Sequence, residues 1–209
     1  MKLILLSITS ILIFSCGNIN LDDVKDAING KTDGLEANEH RIFVSSQTYD
    51  GNLGGLVGAD AKCGSLAQAA GLSRDYKAML AGSTINTNLE DRYIVNGPIY
   101  VFESDAIKYK VAEDDETWGG SFLDAHTSGG PGLLSTVHYT ENYVDVEGDY
   151  HWTGADDIGE QDGDDCNGWN SNSSGGLGRL GINDVQDEAF FDENELACNT
   201  QQRLICISQ

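Results

Sequence analysis

The stretch that decides the fold reads Asn52-Leu53-Gly54-Gly55-Leu56-Val57-Gly58-Ala59-Asp60-Ala61-Lys62-Cys63. Its first half is rich in residues typical of turns, and its second half opens the best helix pattern in the chain, which we predict over 58–71. Asp60 suits the first turn of that helix, and Gly71 is typical of the position just after a helix ends. Four residues share the face expected to be buried: Cys63, Leu66, Ala67 and Ala70.

Outward from this helix, the chain consists of short apolar runs separated by long polar segments. The predicted strands are 41–44, 92–102 with Pro98 at a turn or an edge, and 204–207. Residues 76–80 are predicted as a short strand or a short helix. Residues 155–174 are almost all Asp, Gly, Asn and Ser, which is typical of a loop. Few helices, short strands and long loops predict an α+β domain.

The N-terminus has the pattern of a bacterial lipoprotein signal. Lys2 precedes an apolar run over 3–14, which is too short to span a bilayer as a mature helix but suits a signal peptide. The run ends in Ile13-Phe14-Ser15-Cys16-Gly17, which resembles a lipobox, whose cysteine is acylated after cleavage. We therefore predict a signal peptide over 1–15, lipidation of Cys16 and a surface-exposed anchor in the outer membrane, with an ordinary signal peptide as the less favoured alternative. The polar residues 16–40 predict a flexible tether, so the folded domain is expected over 41–209.

The remaining cysteines favour disulfides over a metal site. They are four in number, which is typical of two cystines in an exported chain: Cys63, Cys166, Cys198 and Cys206. Structural zinc sites use close cysteine pairs or histidines at ligand spacing, and these cysteines have neither. The residues alone leave all three pairings open.

The charge of the chain limits its partners. Against 12 Lys and Arg stand 34 Asp and Glu, for a formal net charge of −22. Nucleic acid is excluded as a partner, because binding it requires Lys and Arg to displace counterions. Heparin-like polymers and anionic lipid surfaces are disfavoured for the same reason, so membrane contact is expected only through the N-terminal lipid. Electrostatics favours a basic partner.

The motifs, in their order along the chain, resemble the endostatin domain. The quoted stretch is followed, as in that domain, by Ala69-Ala70-Gly71-Leu72 and Tyr76-Lys77-Ala78-Met79-Leu80. Downstream motifs are Trp152-Thr153-Gly154-Ala155-Asp156, similar to its W-x-G-x-D/N segment, and Cys166-Asn167-Gly168-Trp169, similar to its C-x-x-W. Ala197-Cys198 and Leu204-Ile205-Cys206-Ile207 match its terminal cysteine pair. The resemblance covers residues 41–208.

The resemblance implies a C-type-lectin-like fold with nested disulfides, Cys63–Cys206 outside and Cys166–Cys198 inside. Together with the lipobox, it makes the chain similar to the leptospiral endostatin-like (Len) lipoproteins, surface proteins that bind host matrix proteins, some of which bind the complement regulator factor H. The implied role is that of an adhesin and complement-evasion protein with laminin, fibronectin and factor H as ligands, and plasminogen as a further one. Endostatin's heparin binding is not carried over, because no Lys or Arg occurs between Lys110 and Arg179. Nor is its zinc site, because only His40 lies near that position.

The densest group of candidate binding residues is one acidic loop, and Trp118, beside Gly119-Gly120, is a separate candidate for an exposed anchor. The loop residues are Asp156, Asp157, Glu160, Asp162, Asp164 and Asp165. Calcium takes oxygen ligands, but the spacing fits no EF-hand, and a solvated acidic loop is the favoured alternative. Between these two, we predict that the loop contributes a negative face to a protein-binding surface. Trp152 and Trp169 are expected in the core; three tyrosines could be exposed or in strands: Tyr139, Tyr143 and Tyr150.

No set of residues in the chain has the spacing of a catalytic site. The histidines, His40, His126, His138 and His151, lie in unrelated contexts, without the nucleophile, base and orienting group that covalent catalysis needs. We expect no enzyme activity, no catalytic residue, no metal and no cofactor. Two alternatives to the adhesin remain: a carbohydrate-binding C-type-lectin-like module, disfavoured because the Glu-Pro-Asn or Gln-Pro-Asp motif is missing, and a structural envelope lipoprotein facing the periplasm.

Overall fold

The structure, a computed structural model, describes residues 33–83, 87–89, 91–113 and 133–209. Lys31–Gln209 forms one compact unit. Its architecture is mixed α+β, mostly strands with few helices and with two disulfides, which confirms the predicted class at this level. The predicted signal peptide over 1–15, the lipidation site Cys16 and the candidate anchor Trp118 lie outside the described residues. Within the described ranges, no helix combines the length and the apolar character needed to cross a membrane.

Five strands, numbered in chain order, form the main sheet. They are β1 (His40–Val44), β2 (Tyr76–Ala78), β3 (Ile99–Ser104), β4 (Ile107–Ala112) and β8 (Ile205–Ser208). Their spatial order is β2-β8-β1-β3-β4, with β1 and β3 parallel and every other neighbouring pair antiparallel. The last strand of the chain therefore pairs with the first, so both ends of the domain meet in the middle of one sheet.

The predicted strands of this sheet are confirmed in type and corrected in extent. Residues 76–80 contain a strand, β2, and not a helix. Within 92–102 the strand begins only at Ile99, directly after Pro98. The residues before it form no strand; among them, the Tyr93 side chain lies in the core, where its hydroxyl donates to the Ala78 carbonyl at 2.7 Å and accepts from the Leu80 amide at 2.9 Å.

A smaller sheet of three antiparallel strands holds the second half of the chain. It contains β5 (Tyr150–Trp152), β6 (Leu177–Ile182) and β7 (Asn194–Ala197), in the spatial order β5-β6-β7. A 3-10 turn over Glu188–Phe190 connects β6 to β7. The long connection from β5 to β6 carries the acidic loop and a four-residue helical turn, Cys166–Trp169. All four residues of that turn have positive φ, between 53° and 66°.

The one long helix, α1, spans Gly55–Ala69 and begins before the predicted start at Gly58. Gly54 and Gly55 have φ of 85° and 73°, a region that glycine adopts without steric cost, so the glycine turn leads directly into the helix. The earlier start places Asp60 beyond the first turn, where its carboxylate accepts the Ala78 amide at 3.0 Å and pairs with Arg92 at 2.5 Å. Gly71, at φ 77°, ends the helical segment as predicted. The buried side chains of α1 are Ala59, Cys63, Leu66 and Ala67.

The main sheet is covered on both faces, since alternate residues of its central strands enter two different apolar clusters. In β1, Ile42 and Val44 join one cluster and Phe43 the other. In β8, Ile207 and Cys206 divide in the same way. This double burial explains why β1 is buried at all five positions and why Ile42, Phe43 and Val44 form a continuous apolar run rather than an alternating pattern.

Both disulfides are present with the pairing that the resemblance implies. Cys63–Cys206 joins α1 to β8 across 143 residues, and Cys166–Cys198 closes a loop of 32 residues inside it. All four cysteines are buried. In the loop-entropy model, closing these two loops stabilises the fold by roughly 5 and roughly 4 kcal/mol.

The packed domain begins before the predicted boundary at residue 41. Asp33 is buried, and its carboxylate accepts the Ser73 amide at 2.7 Å. Glu39 is also buried, and Arg74 donates to its carbonyl. His40 is the first residue of β1. The C-terminal part of the predicted tether therefore belongs to the folded domain, because its polar groups are satisfied by the residues that follow α1.

Candidate functional site

The acidic loop is held in a defined conformation by hydrogen bonds. The Asp156 carboxylate accepts the amides of Ile158 at 3.1 Å and Glu160 at 2.8 Å, which closes a tight turn. Two contacts fix this turn to a neighbouring segment: the Leu89 amide donates to Gly159, and Gln161 donates to the Asn88 side chain. The backbone of the loop and the Asp156 carboxylate therefore have defined positions.

One cation, Arg179 on β6, lies among four carboxylates from two segments of the chain. Its Nε donates to Asp162 at 2.6 Å, one terminal nitrogen lies 2.9 Å from Asp192, and the other lies 3.3 Å from Asp164. Glu195, its register partner on β7, lies 3.4 Å away. Four carboxylates around one guanidinium leave an excess of negative charge at this position.

The pKa values in this cluster reflect burial and crowding of like charges. Burial and the neighbouring Asp162 carboxylate raise the pKa of Asp164, against the opposing effect of Arg179. Burial also raises the pKa of Asp192, with contributions from acidic neighbours that include Asp157 and Asp156. Burial alone would lower the pKa of Arg179, but the surrounding carboxylates outweigh it and raise that pKa.

Four carboxylates contact Arg179 and three more belong to the adjacent turn of the acidic loop; these seven are together called here the acidic face. Its members are Asp156, Asp157, Glu160, Asp162, Asp164, Asp192 and Glu195. The first five were predicted from the acidic loop, whereas Asp192 and Glu195 were missed. The signal that would have found them is the β6–β7 hairpin, which places Glu195 directly opposite Arg179.

Asp165 does not belong to this face, which corrects its assignment as a candidate binding residue. It is 2% exposed. Its carboxylate accepts the Ser83 amide and hydroxyl, both at 2.7 Å, and the Gly168 amide at 2.9 Å. Asp165 therefore caps the Cys166–Trp169 turn and stabilises its left-handed backbone.

The described aromatic residues serve mainly in packing. Trp152 and Trp169 are fully buried as predicted, and their indole nitrogens donate to the carbonyls of Tyr49 at 2.8 Å and Ala81 at 2.7 Å. Three tyrosines whose exposure the sequence did not decide are partly buried: Tyr139, Tyr143 and Tyr150. The Tyr143 ring covers the buried Arg41 guanidinium at 5.1 Å, so this tyrosine has a structural contact as well as exposed area.

Metal and acid–base chemistry find little support in the described ranges. No group of three or more His, Cys, Asp or Glu there is arranged to hold a metal ion. His40 contacts the Ser208 carbonyl and the Asn96 side chain, at 2.9 and 3.1 Å. His151, in β5, is 1% exposed, and burial lowers its pKa to about 3, partly opposed by the Phe190 backbone. His126 lies outside the described residues. The acidic face can attract basic groups, which is the chemistry that its geometry supports.

The chain matches the sequence model of one protein family. Residues 46–186 match the family model described as "Protein of unknown function (DUF1554)". The match covers more than half of the chain and includes α1, the acidic loop and β6. No curated protein sequence matches the chain.

Proposed function

The chain belongs to the DUF1554 family, and we propose that it is a lipid-anchored surface protein whose C-type-lectin-like, endostatin-like domain binds basic regions of host proteins. Its proposed ligands are laminin, fibronectin and factor H, with plasminogen as a further one, and its proposed role is adhesion and complement evasion. The observation that carries this proposal is the acidic face, in which four of the seven carboxylates contact Arg179.

The acidic face suits a receptor because some of its carboxylates are oriented before a partner arrives. Arg179 orients Asp162 and Asp164, and Asp156 is oriented by two backbone amides. Ordering side chains on association costs about 0.5–1.5 kcal/mol each, so a surface with fixed carboxylates loses less on binding. Asp157 and Glu160 are exposed at the turn of the loop and are available to Lys or Arg of a partner. Complementary charge also raises the rate of association.

The endostatin-like fold is supported by features that the resemblance implies and the domain contains. The two disulfides are nested, with 143 residues closed by the outer one and 32 by the inner one. Trp152 and Trp169 pack against each other in the core with ring centroids 5.8 Å apart. The last strand, β8, pairs with the first strand, β1.

Charge reversal tests the proposal directly. The double variant Asp157→Lys/Glu160→Lys changes two exposed positions of the acidic face and should weaken binding of oxidised residues 17–209 to immobilised laminin and factor H by at least about tenfold, since rim charges act on association. The matched control Asp75→Lys/Glu147→Lys makes the same change in net charge at exposed positions elsewhere. Equal losses of affinity in the two variants would show that only the net charge of the domain matters. Unchanged affinity in both would show that the acidic face does not bind these ligands.

The surface location requires a separate test. Protease added to intact cells should cut the domain if it faces outward, whereas a domain facing the periplasm should be cut only after the outer membrane is permeabilised. A glycan array tests the carbohydrate-binding alternative, and the proposal expects no specific glycan signal. Protection from protease in intact cells would contradict the adhesin role.

A further inference from the structure

A small cleft opens at the N-terminal end of α1. Its volume is about 200 Å³, and its lining is mostly apolar surface. The residues around it are Gly54, Gly55, Leu56, Val57, Gly82, Gly168 and Asn170. Val57, at its edge, is 81% exposed, the highest value among the exposed large apolar residues described. Drug-sized ligands occupy pockets of about 300–1,000 Å³, so this cleft suits a single side chain.

Glycines create the cleft. A Cβ atom on Gly82 would lie 3.3 Å from the Leu56 side chain, so a side chain at this position would fill the space beside Leu56. Gly55, at φ 73°, brings the start of α1 close to the turn that contains Gly168. The opposite wall is that turn, held rigidly by the Cys166–Cys198 disulfide and by Asp165. The cleft is therefore a preformed feature of the fold.

The cleft adjoins the acidic face through two short hydrogen-bonded steps. Gly82, in the cleft wall, exchanges two backbone hydrogen bonds with Thr87, at 3.0 and 2.9 Å. The next residues, Asn88 and Leu89, contact the acidic loop at Gln161 and Gly159. The segment 87–89 therefore contacts both the cleft wall and the acidic loop.

We propose that the cleft accepts one apolar side chain of a basic protein segment, while Lys or Arg residues flanking that side chain bind the acidic face. This inference rests on the proposed function and names the chemistry of the segment that is recognised. Charge complementarity argues for this occupant: the chain carries −22, so a second copy would be repelled, whereas a basic segment is attracted. Val57 supplies exposed apolar area at the rim, and an apolar centre with a polar rim is the usual anatomy of a protein interface.

Short peptides can distinguish binding in the cleft from binding at the acidic face. Nitrogen-15-labelled, oxidised residues 17–209, which contain the whole compact unit Lys31–Gln209, are titrated with Lys-Lys-Leu-Lys-Lys, Lys-Lys-Ser-Lys-Lys and Glu-Glu-Leu-Glu-Glu while amide shifts are recorded. The leucine peptide with lysines should shift the amides of Gly54 and Gly82 as well as those of Asp157 and Glu160. The serine peptide should shift only the acidic loop, and the glutamate peptide should shift neither group.

The outcomes distinguish failure of this inference from failure of the proposed function. Identical shifts with the leucine and serine peptides would overturn the cleft assignment and leave the acidic face as a binding surface. Shifts at Gly54 and Gly82 with the glutamate peptide would overturn the requirement for a basic segment. If neither lysine peptide shifted Asp157 or Glu160, both the inference and the electrostatic basis of the proposed function would fail.

A conservative rim variant adds a quantitative test. Val57→Ser should weaken the lysine-flanked leucine peptide by roughly threefold to tenfold, because part of a valine side chain is buried against the ligand. The same variant should leave the affinity of the serine peptide unchanged. Val144→Ser, at another exposed valine that is 56% exposed and outside the cleft, is the matched control and should affect neither peptide. Equal effects of the two variants on the leucine peptide would overturn the assignment.

Discussion

Removing the cation at the centre of the acidic face should destabilise the fold markedly. In the variant Arg179→Ala, three hydrogen-bonded ion pairs are lost, those with Asp162, Asp164 and Asp192, together with the longer contact to Glu195. The four carboxylates then face one another without a positive charge between them. The perturbation therefore combines loss of attraction with new repulsion.

The magnitude follows from the number of contacts and their partial exposure. A hydrogen bond to a charged group contributes about 1.5–3 kcal/mol when well buried. The Arg179 side chain is 22% exposed and its partners are 14–34% exposed, so screening reduces each of the three contacts to about 1 kcal/mol. The expected loss is about 3 kcal/mol, which for a domain of this size lowers the melting temperature by roughly 6–12 °C.

Thermal unfolding of oxidised residues 17–209 at neutral pH, in low and high salt, measures this effect. The deficit of Arg179→Ala should shrink in high salt, where the repulsion among the carboxylates is screened. It should also shrink at lower pH, because the pKa values of Asp164 and Asp192 are already raised and protonation removes the repulsion. Lys110→Ala, which removes one exposed pair with Glu113, is the control, and its melting temperature should equal that of the wild type within error. An Arg179→Ala midpoint equal to that of the wild type, or a deficit unaffected by salt, would refute the reasoning.

Three further predictions concern the core and the acidic face. Replacing Cys63 and Cys206 by alanine should lower the free energy of unfolding in urea by about 5 kcal/mol, and replacing Cys166 and Cys198 by about 4 kcal/mol, since the longer loop gains more chain entropy; the reverse order would contradict the loop argument. The pKa of His151 falls from 6.5 to about 3 on folding, so as the pH drops the unfolded chain takes up a proton before the folded one does. His151 therefore does not reduce the free energy of unfolding above pH 6.5 and reduces it progressively as the pH falls toward 3. Between pH 7 and pH 5 the wild type should therefore lose about 2 kcal/mol more than His151→Leu; parallel pH profiles would show that His151 does not titrate in this way. Calcium should leave the melting temperature unchanged because Arg179 already neutralises part of the acidic face; a rise with calcium would reveal a cation site.

The parts of the fold that were predictable are those in which the local pattern and the tertiary environment agree. The helix was found because Cys63, Leu66 and Ala67 recur on one face and Gly71 ends it, and these residues are indeed buried against the main sheet. Strand β1 was found because Ile42, Phe43 and Val44 are buried on both faces of the sheet, which makes these three positions apolar in succession. Local sequence and packing carry the same information at these positions.

Strand β6 was not predicted because two of its positions are glycines, which close packing requires there. A Cβ on Gly178 would lie 2.6 Å from the Trp152 ring, and one on Gly181 would lie 1.8 Å from the Phe190 carbonyl oxygen. Glycine is required at both positions, yet a glycine-rich run resembles a loop when neighbouring segments are unknown. Because β6 was missed, so was the hairpin that brings Glu195 to Arg179.

In the acidic loop, too, the sequence did not reveal which residues are exposed and which are buried. Asp164 and Asp165 are adjacent and chemically identical, but Asp164 contacts Arg179 on the acidic face whereas Asp165 is buried beneath the Cys166–Trp169 turn. Composition identified the loop as negative. It did not distinguish the two roles, because burial of Asp165 depends on Ser83, which is distant in sequence.

If the acidic face binds basic protein surfaces, binding must depend on salt, because electrostatic attraction between exposed charges is screened by ions. Oxidised residues 17–209 are titrated against immobilised factor H and laminin at about 10 mM and about 150 mM salt, where the Debye length is about 30 Å and about 8 Å. The account predicts saturable binding whose affinity falls between the two conditions and falls less for Asp157→Lys/Glu160→Lys than for the wild type. Binding with the same affinity at both salt concentrations, or no binding at micromolar protein, would contradict it.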